Sequence, residues 1–72
     1  MVRIRSQDGK IFMDAGMLSV DDGDLWACGV GQDVGLIVGN FPTQEQAIAE
    51  LDKIQKLVHE RQPNPIYQIT KP

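Results

Sequence analysis

Apolar residues between Thr43 and Arg61 recur with the spacing of one face of an α-helix. They are Ala47, Ile48, Leu51, Ile54, Leu57 and Val58. Thr43 and Gln46 match a capping box, in which each side chain satisfies an unpaired backbone N–H at the start of a helix. Two prolines, at positions 63 and 65, prevent continuation. The pattern predicts one amphipathic helix over Thr43–Arg61, with charged residues such as Glu50 at the remaining positions.

The rest of the chain alternates short apolar runs with turn signals, which is typical of β-strands. The Gln7–Lys10 and Asp21–Asp24 segments contain Asp-Gly and favour turns. Gly16 is expected to separate two short extended segments, one before it and one after it. The predicted strands are Val2–Ser6, Met17–Val20, Leu25–Val30, Gly35–Phe41 and Ile66–Thr70, and Ile11–Asp14 is expected to form a short extended piece.

Leu25–Val30 and Gly35–Phe41 are predicted to form a hairpin across the four-residue loop 31–34. This register places Trp26 opposite Gly39 and Cys28 opposite Ile37, so that the indole ring covers backbone that glycine leaves bare. The predicted fold is a single α+β domain spanning residues 1–72. It has a small antiparallel β-sheet of about four to five strands, in the order β-β-β-(β)-α-β, with the amphipathic helix packed on one face.

The central hairpin is apolar on both of its faces. Leu25, Ala27, Leu36 and Val38 form one face, and Trp26, Cys28, Ile37 and Phe41 form the other. One helix covers one face, so the second face is expected to form the interface of a homodimer or a higher symmetric assembly. In the alternative arrangement, the N-terminal strands fold over that second face.

Size and charge narrow the choice of function. A chain of 72 residues buries a thin core, and one cysteine with one histidine excludes an internal disulfide and disfavours a structural zinc site. Oligomerisation is then the expected source of additional stability. The net charge of −3 argues against general nucleic-acid binding. No apolar run is long enough to cross a membrane, and a soluble, cytoplasmic protein is expected.

The chain offers little catalytic chemistry. Cys28 and His59 are the one nucleophile–imidazole pair, and no orienting group or pocket accompanies them. The glycines from Gly29 to Gly35 lack the spacing of a P-loop and favour a hairpin loop. The Asp21–Asp24 segment lacks the bidentate glutamate of a calcium loop. We therefore expect no enzyme, no cofactor and no metal site.

Two groups of residues are candidates for ligand binding. Arg3 and Arg5 project from the same side of a strand, where they either clamp a phosphate or carboxylate or form a charged strand that discourages aggregation. Trp26, Phe41 and Tyr67 either build a binding surface or belong to the core.

Four segments carry a resemblance to known sequences: Ile4–Lys10, Gly39–Ala47, Leu51–Ile54 and Pro65–Ile69. Together they resemble small uncharacterised proteins of Firmicutes and their phages, which begin with a serine-glutamine-aspartate-glycine turn. The resemblance implies a fold and a mobile-element origin, and it carries over no catalytic residue. It does not extend to the loop 31–34 or to the Asp21–Asp24 turn.

The function expected from this combination is a small non-enzymatic binding protein that forms a homo-oligomer. Its most specific form is a phage-borne inhibitor of bacterial defence, which blocks a defence protein or sequesters a nucleotide second messenger. The ligand-binding residues expected for that role are Arg3, Arg5, Lys10, Trp26, Phe41, Arg61 and Tyr67. The alternative is a purely structural accessory or oligomerisation domain of a phage particle or larger complex.

Overall fold

The computed structural model describes residues 2–60 and 65–71, and it has the expected α+β composition with one helix in these ranges. The elements are β1 (Val2–Arg5), β2 (Phe12–Asp21), β3 (Asp24–Gly29), β4 (Gly35–Asn40), α1 (Gln44–His59) and β5 (Ile66–Gln68). The strands form one sheet in the order β4-β3-β2-β1-β5.

The first four strands form an antiparallel meander, as predicted, but β5 is parallel to β1. Tyr67 lies opposite Ile4 in this pairing. The prediction of an antiparallel sheet is therefore wrong for the last strand. The reason is the connection: α1 carries the chain from β4 at one edge of the sheet to β5 at the other edge, beside β1. A helical crossover of this length permits parallel pairing, which a tight hairpin does not.

Gly16 does not end a strand; it forms a β-bulge inside the continuous strand β2. The pairing with β3 passes from Ala15 opposite Gly29 to Met17 opposite Cys28. One extra residue at this point brings Leu18 onto the same side as Ala15, so that both contribute to the core despite their three-residue spacing.

The helix begins and ends close to its predicted bounds. The Oγ1 atom of Thr43 accepts a hydrogen bond from the backbone N–H of Gln46 at 3.2 Å, which confirms the predicted N-cap. At the other end, the N–H of Glu60 donates to the carbonyl oxygen of Lys56. Arg61 lies outside the described residues.

A second bulge corrects the predicted register of the central hairpin. Trp26 lies opposite Ile37 and Leu25 lies opposite Gly39, so Val38 is the extra residue on β4. After the bulge, each side chain lies on the side of the sheet opposite to the one predicted for it. Phe41, expected on the uncovered face, is instead buried in the core beneath the helix.

The core lies between the sheet and α1. Its buried apolar residues are Val2, Ile4, Ala15, Leu25, Ala27, Val38, Phe41, Ala47, Ile54 and Ile69. The sheet also curls around this core. Although two strands separate β1 from β4, the backbone N–H of Gln7, which follows β1, donates to the carbonyl oxygen of Val38 at 2.7 Å. The side chain of Gln7 bonds both the N–H and the carbonyl of Asn40 and the carbonyl of Thr70.

Candidate functional site on the open face of the sheet

The face of the sheet that α1 does not cover is the main candidate for function. We call it the open face. Its described residues with exposed or half-buried side chains include Arg3, Arg5, Phe12, Asp14, Met17, Ser19, Asp24, Trp26, Cys28, Ile37, Asn40, Ile66 and Gln68. The predicted uncovered apolar surface is therefore present. The alternative, in which the N-terminal strands cover it, is wrong because β1 and β2 belong to the sheet itself.

Large apolar side chains of the open face are exposed and lie next to one another. The exposed fraction is 64% for Met17 and 46% for Ile37. Trp26 and Cys28 lie between them and are half-buried. A contiguous apolar surface of this kind marks an interaction site more often than a chance exposure.

A shallow depression of about 220 Å³ surrounds Trp26. It is lined by Met17, Ser19, Trp26, Ala27, Cys28, Asp33 and Gly35, and we call it the Trp26 depression. A Cβ atom at position 35 would stand 3.5 Å from Cε3 of the indole, so the glycine leaves that part of the ring uncovered. The depression combines an aromatic ring, a thioether, a hydroxyl and a carboxylate.

Cys28 belongs to this depression, but its thiol is already engaged. The Sγ atom donates to the carbonyl oxygen of Gln32 at 2.8 Å, and the backbone N–H of Gln32 donates to the carbonyl oxygen of Gly29 at 3.1 Å. His59 lies in the last turn of α1, which packs against the opposite face. The structure therefore places the two residues apart and forms no cysteine–histidine pair.

The two arginines of β1 both lie on the open face, as their spacing predicts, but they have different partners. The Nε atom of Arg3 is 3.3 Å from Oδ1 of Asp14 on the neighbouring strand. Arg5 donates from Nε and Nη2 to the carbonyl oxygen of Gly9, each at 3.3 Å. Lys10 lies in the exposed turn after Gly9. The arginines therefore do not converge on a common anion in this structure.

The remaining predicted ligand residues lie elsewhere. Phe41 is in the core, and Tyr67 faces the helix side of the sheet together with Ile4. Arg61 falls outside the described residues. In a single chain the predicted residues are thus divided between the two sides of the sheet.

Glu50 is a polar residue of the core that the sequence analysis placed with the solvent-facing charges. Its exposed fraction is 2%. The carboxylate accepts the backbone N–H of Thr70 at 2.7 Å and the Thr70 hydroxyl at 2.9 Å, and Nζ of Lys53 lies 3.7 Å away. Position 50 follows Ala47 by three residues and precedes Ile54 by four, which is the signal that could have revealed its inward direction.

Tyr67 completes this arrangement. Burial raises the pKa of its hydroxyl, and the hydrogen bond and negative charge of Glu50 add to that effect, giving a pKa of about 12. A depression of about 190 Å³, partly lined by Phe41, Lys53 and Lys71, adjoins Glu50. In the described part of the chain every buried polar side-chain atom has a partner. We therefore interpret this network as an anchor for the segment after β5 rather than as a binding site.

Within residues 2–60 and 65–71, no group of three or more histidine, cysteine, aspartate or glutamate side chains is arranged to hold a metal ion. The helix described there is neither long nor apolar enough to span a membrane. Comparison with models of protein families finds no match to this chain, and comparisons with curated proteins and with solved structures find none either.

Proposed function

We propose that this protein is a small non-enzymatic interaction module that associates with a second copy of itself through the open face. The observation that supports the proposal is the contiguous apolar surface formed by Met17, Trp26, Cys28 and Ile37. A two-fold interface is self-complementary, so one such surface suffices for both copies.

The energetics favour burial of this surface. Each large apolar side chain that becomes fully buried contributes about 1.5–3 kcal/mol, and a two-fold interface counts each of them twice. Association costs about 4–15 kcal/mol in lost translational and rotational freedom. Met17 is 64% exposed, Ile37 is 46% exposed and Trp26 is half-buried, so their burial in two copies offsets the lower end of that range.

The more specific role that we propose, an inhibitor of bacterial defence carried by a phage, rests on the mobile-element origin that the sequence resemblance implies. Of the three candidate aromatics, Trp26 alone lies on the open face, with Phe41 in the core and Tyr67 on the helix side. This favours direct blocking of a defence protein over stacking of a nucleotide. Calorimetric titration with cyclic dinucleotides and ADP-ribose derivatives tests whether the protein sequesters a nucleotide signal. Heat of binding is expected if it does, and the absence of heat refutes this role.

Two adjacent residues of β4 provide a matched test of self-association. Leu36 and Ile37 have nearly equal exposed fractions, 45% and 46%, but they face opposite sides of the sheet. Light scattering coupled to size exclusion is expected to show a dimer for the wild-type protein and for Leu36→Asp. Ile37→Asp is expected to elute as a folded monomer.

Two outcomes would refute self-association through the open face. A wild-type monomer at high micromolar concentration would refute the proposal. Equal dissociation by both substitutions would also contradict it, because the effect would then not depend on the face of the sheet. Circular dichroism of both variants establishes that they are folded.

A further inference from the structure

We infer that the outer edge of β4, at residues 35–37, binds an extended segment of a partner protein, which adds to the sheet as a further strand. β4 forms one border of the sheet, so its side away from β3 pairs with no strand in the described part of the chain. Exposed strand edges bind partner segments through main-chain hydrogen bonds. The inference concerns the edge of the sheet and is independent of self-association through the open face.

The hydrogen bonds around Asn40 show which way the backbone of β4 points. Asn40 lies opposite Asp24 of β3. Its N–H and its carbonyl oxygen bond the side chain of Gln7, at 3.0 and 3.2 Å, and therefore point away from β3. The N–H of the next residue, Phe41, points the other way and donates to the carbonyl oxygen of Gly23. Asn40 and Asp24 are therefore a pair that exchanges no backbone hydrogen bonds.

The same alternation continues along β3 and identifies the outward groups of β4. Trp26 and Cys28 follow Asp24 at intervals of two residues, and their partners on β4 are Ile37 and Gly35. Both partners consequently turn their N–H and carbonyl groups away from β3. No backbone hydrogen bond of the turns and loops in the described residues involves either of them. The edge thus offers two donors and two acceptors to an extended backbone.

Gln7 closes the other half of this edge. Its backbone N–H donates to the carbonyl oxygen of Val38 at 2.7 Å, and its side chain occupies both backbone groups of Asn40. An added strand therefore ends against Gln7 and runs from Ile37 toward the loop 31–34. The fold itself limits the accessible part of the edge to residues 35–37.

This accessible part of β4 lacks the features by which edge strands usually avoid association. Such strands carry charge or proline, contain a bulge, or are very short. β5, at the opposite border, has three residues and follows Pro65. β4 has six residues, of which none is charged or proline. Its bulge, at Val38, lies in the half that Gln7 closes. The comparison identifies β4 as the edge open to a partner.

The side chains beside the edge specify the chemistry of the partner segment. Leu36 is 45% exposed on the helix side of the sheet, and Ile37 is 46% exposed on the open face. Residues directly opposite each other on neighbouring strands contact on the same side of the sheet. The segment is therefore uncharged and apolar at successive residues, one facing Leu36 and the next facing Ile37. A strand with one wet face alternates apolar and polar residues instead.

A second copy of β4 fits this edge less well than a free segment. In a two-fold pair of β4 strands, Gly35 lies opposite the partner's Ile37. The residues before Gly35 in each copy then run toward the other copy's Val38 and Asn40, where Gln7 already bonds the edge. A free segment ends at that point and extends past Gly35 in the other direction.

Binding of a defined peptide tests strand addition. The probe is a capped peptide with a central run of valine and isoleucine, which favour extended backbone, and a lysine at each end. Its addition is expected to shift the amide NMR signals of Gly35 and Ile37, because their N–H groups gain acceptors. The same peptide N-methylated at alternate residues cannot donate to β4. It is expected to bind at least about fivefold more weakly.

The substitution Ile37→Pro tests the edge from the side of the protein. Proline removes the outward N–H and is tolerated in an edge strand, because this group does not bond β3. The loss of one main-chain hydrogen bond is expected to weaken peptide binding by about fivefold. Ile37→Val keeps the N–H and a branched apolar side chain, and its affinity is expected to stay within about twofold. Circular dichroism establishes that both variants are folded, and the methylated peptide decides if Ile37→Pro is not.

The results distinguish strand addition from self-association. Equal affinity for the methylated and unmethylated peptides, or unchanged signals of Gly35 and Ile37, refutes strand addition whether or not the protein is a dimer. Peptide binding by a protein that stays monomeric supports strand addition and refutes self-association through the open face. If the two amides are protected from hydrogen exchange in the protein alone, and dilution removes that protection, a second copy is the occupant and the partner segment is refuted.

Discussion

Gly23 and Phe41 lie in direct backbone contact, with the N–H of Phe41 donating to the carbonyl oxygen of Gly23 at 2.8 Å. A Cβ atom at position 23 would overlap the carbonyl oxygen of Phe41. The β2–β3 turn therefore supports the segment that leads from β4 into α1, and it does so through backbone atoms that leave no space for a side chain.

We expect Gly23→Ala to lower the free energy of unfolding by about 2–4 kcal/mol, because the turn must move away from Phe41 and lose its hydrogen bond. Urea unfolding followed by Trp26 emission measures the change. Gly31→Ala is the matched control: its φ of +75° makes alanine strained, but a Cβ there meets no atom within 4 Å. A loss of about 1 kcal/mol is expected for the control, and equal losses would contradict the packing argument.

Gln7→Ala tests the bridge between the two ends of the curled sheet. The substitution removes three side-chain hydrogen bonds, two to Asn40 and one to Thr70. Since these bonds are exposed to solvent, the expected loss of stability is about 1–2 kcal/mol in total. Gln55→Ala, at an exposed helical position, is expected to change stability by less than about 0.5 kcal/mol. The same unfolding assay serves both variants.

The raised pKa of Tyr67 predicts a loss of stability at high pH. An unperturbed tyrosine ionises near pH 10, whereas the folded protein holds this hydroxyl protonated up to a pKa of about 12. The stabilisation is fully present below about pH 10 and is lost as the pH rises toward 12. Absorbance of tyrosinate follows the titration of this single tyrosine.

The substitution Glu50→Gln separates the causes that raise the pKa of Tyr67. Removing the carboxylate charge is expected to lower the pKa below 12 but to leave it above 10, because burial is the largest cause and persists. A pKa that stays at 12 in this variant would show that Glu50 does not act on Tyr67. Circular dichroism at neutral pH checks that the variant remains folded.

The hydrogen bond between Ser6 and Asp8 predicts a smaller loss of stability at acid pH. The buried Ser6 hydroxyl donates to Oδ1 of Asp8 at 2.6 Å and, with the backbone N–H of Lys10, lowers the pKa of that carboxyl below 3.8. The associated stability is present above pH 3.8 and is lost as the pH falls through the lowered value. Carboxyl titration by NMR should show the Asp8 pKa rising in Ser6→Ala. Ser19→Ala, on a distant part of β2, should leave it unchanged.

Local signals were sufficient for the helix, for the strands β1, β3, β4 and β5 and for the turns between the strands, but not for the continuity of β2 through Gly16. The helix followed from apolar spacing and from the Thr43 cap, and the hairpin turns followed from Asp-Gly and the glycines of the loop. For the candidate site, alternation along β3 and β4 correctly indicated that Trp26 and Ile37 share a face, which in the structure is the face away from the helix. These features depend on residues close together in sequence.

Features set by tertiary packing were not accessible in the same way. The bulges at Gly16 and Val38 each shift the register by one residue, and alternation alone does not reveal where such a shift occurs. The Val38 bulge moved Phe41 from the expected interface into the core. The helical spacing indicates the inward direction of Glu50, but its partner, Thr70, lies twenty positions later in the chain and could not be predicted from a local pattern.

The parallel pairing of β1 with β5 also determines the order in which the molecule can be completed during synthesis. The ribosome makes β1 before β5, so one edge of β1 has no strand to pair with until residues 66–68 arrive. During that interval β1 is open to other chains. We expect the basic side chains Arg3 and Arg5 to discourage pairing between nascent copies at this stage, because charge on an exposed strand opposes such pairing.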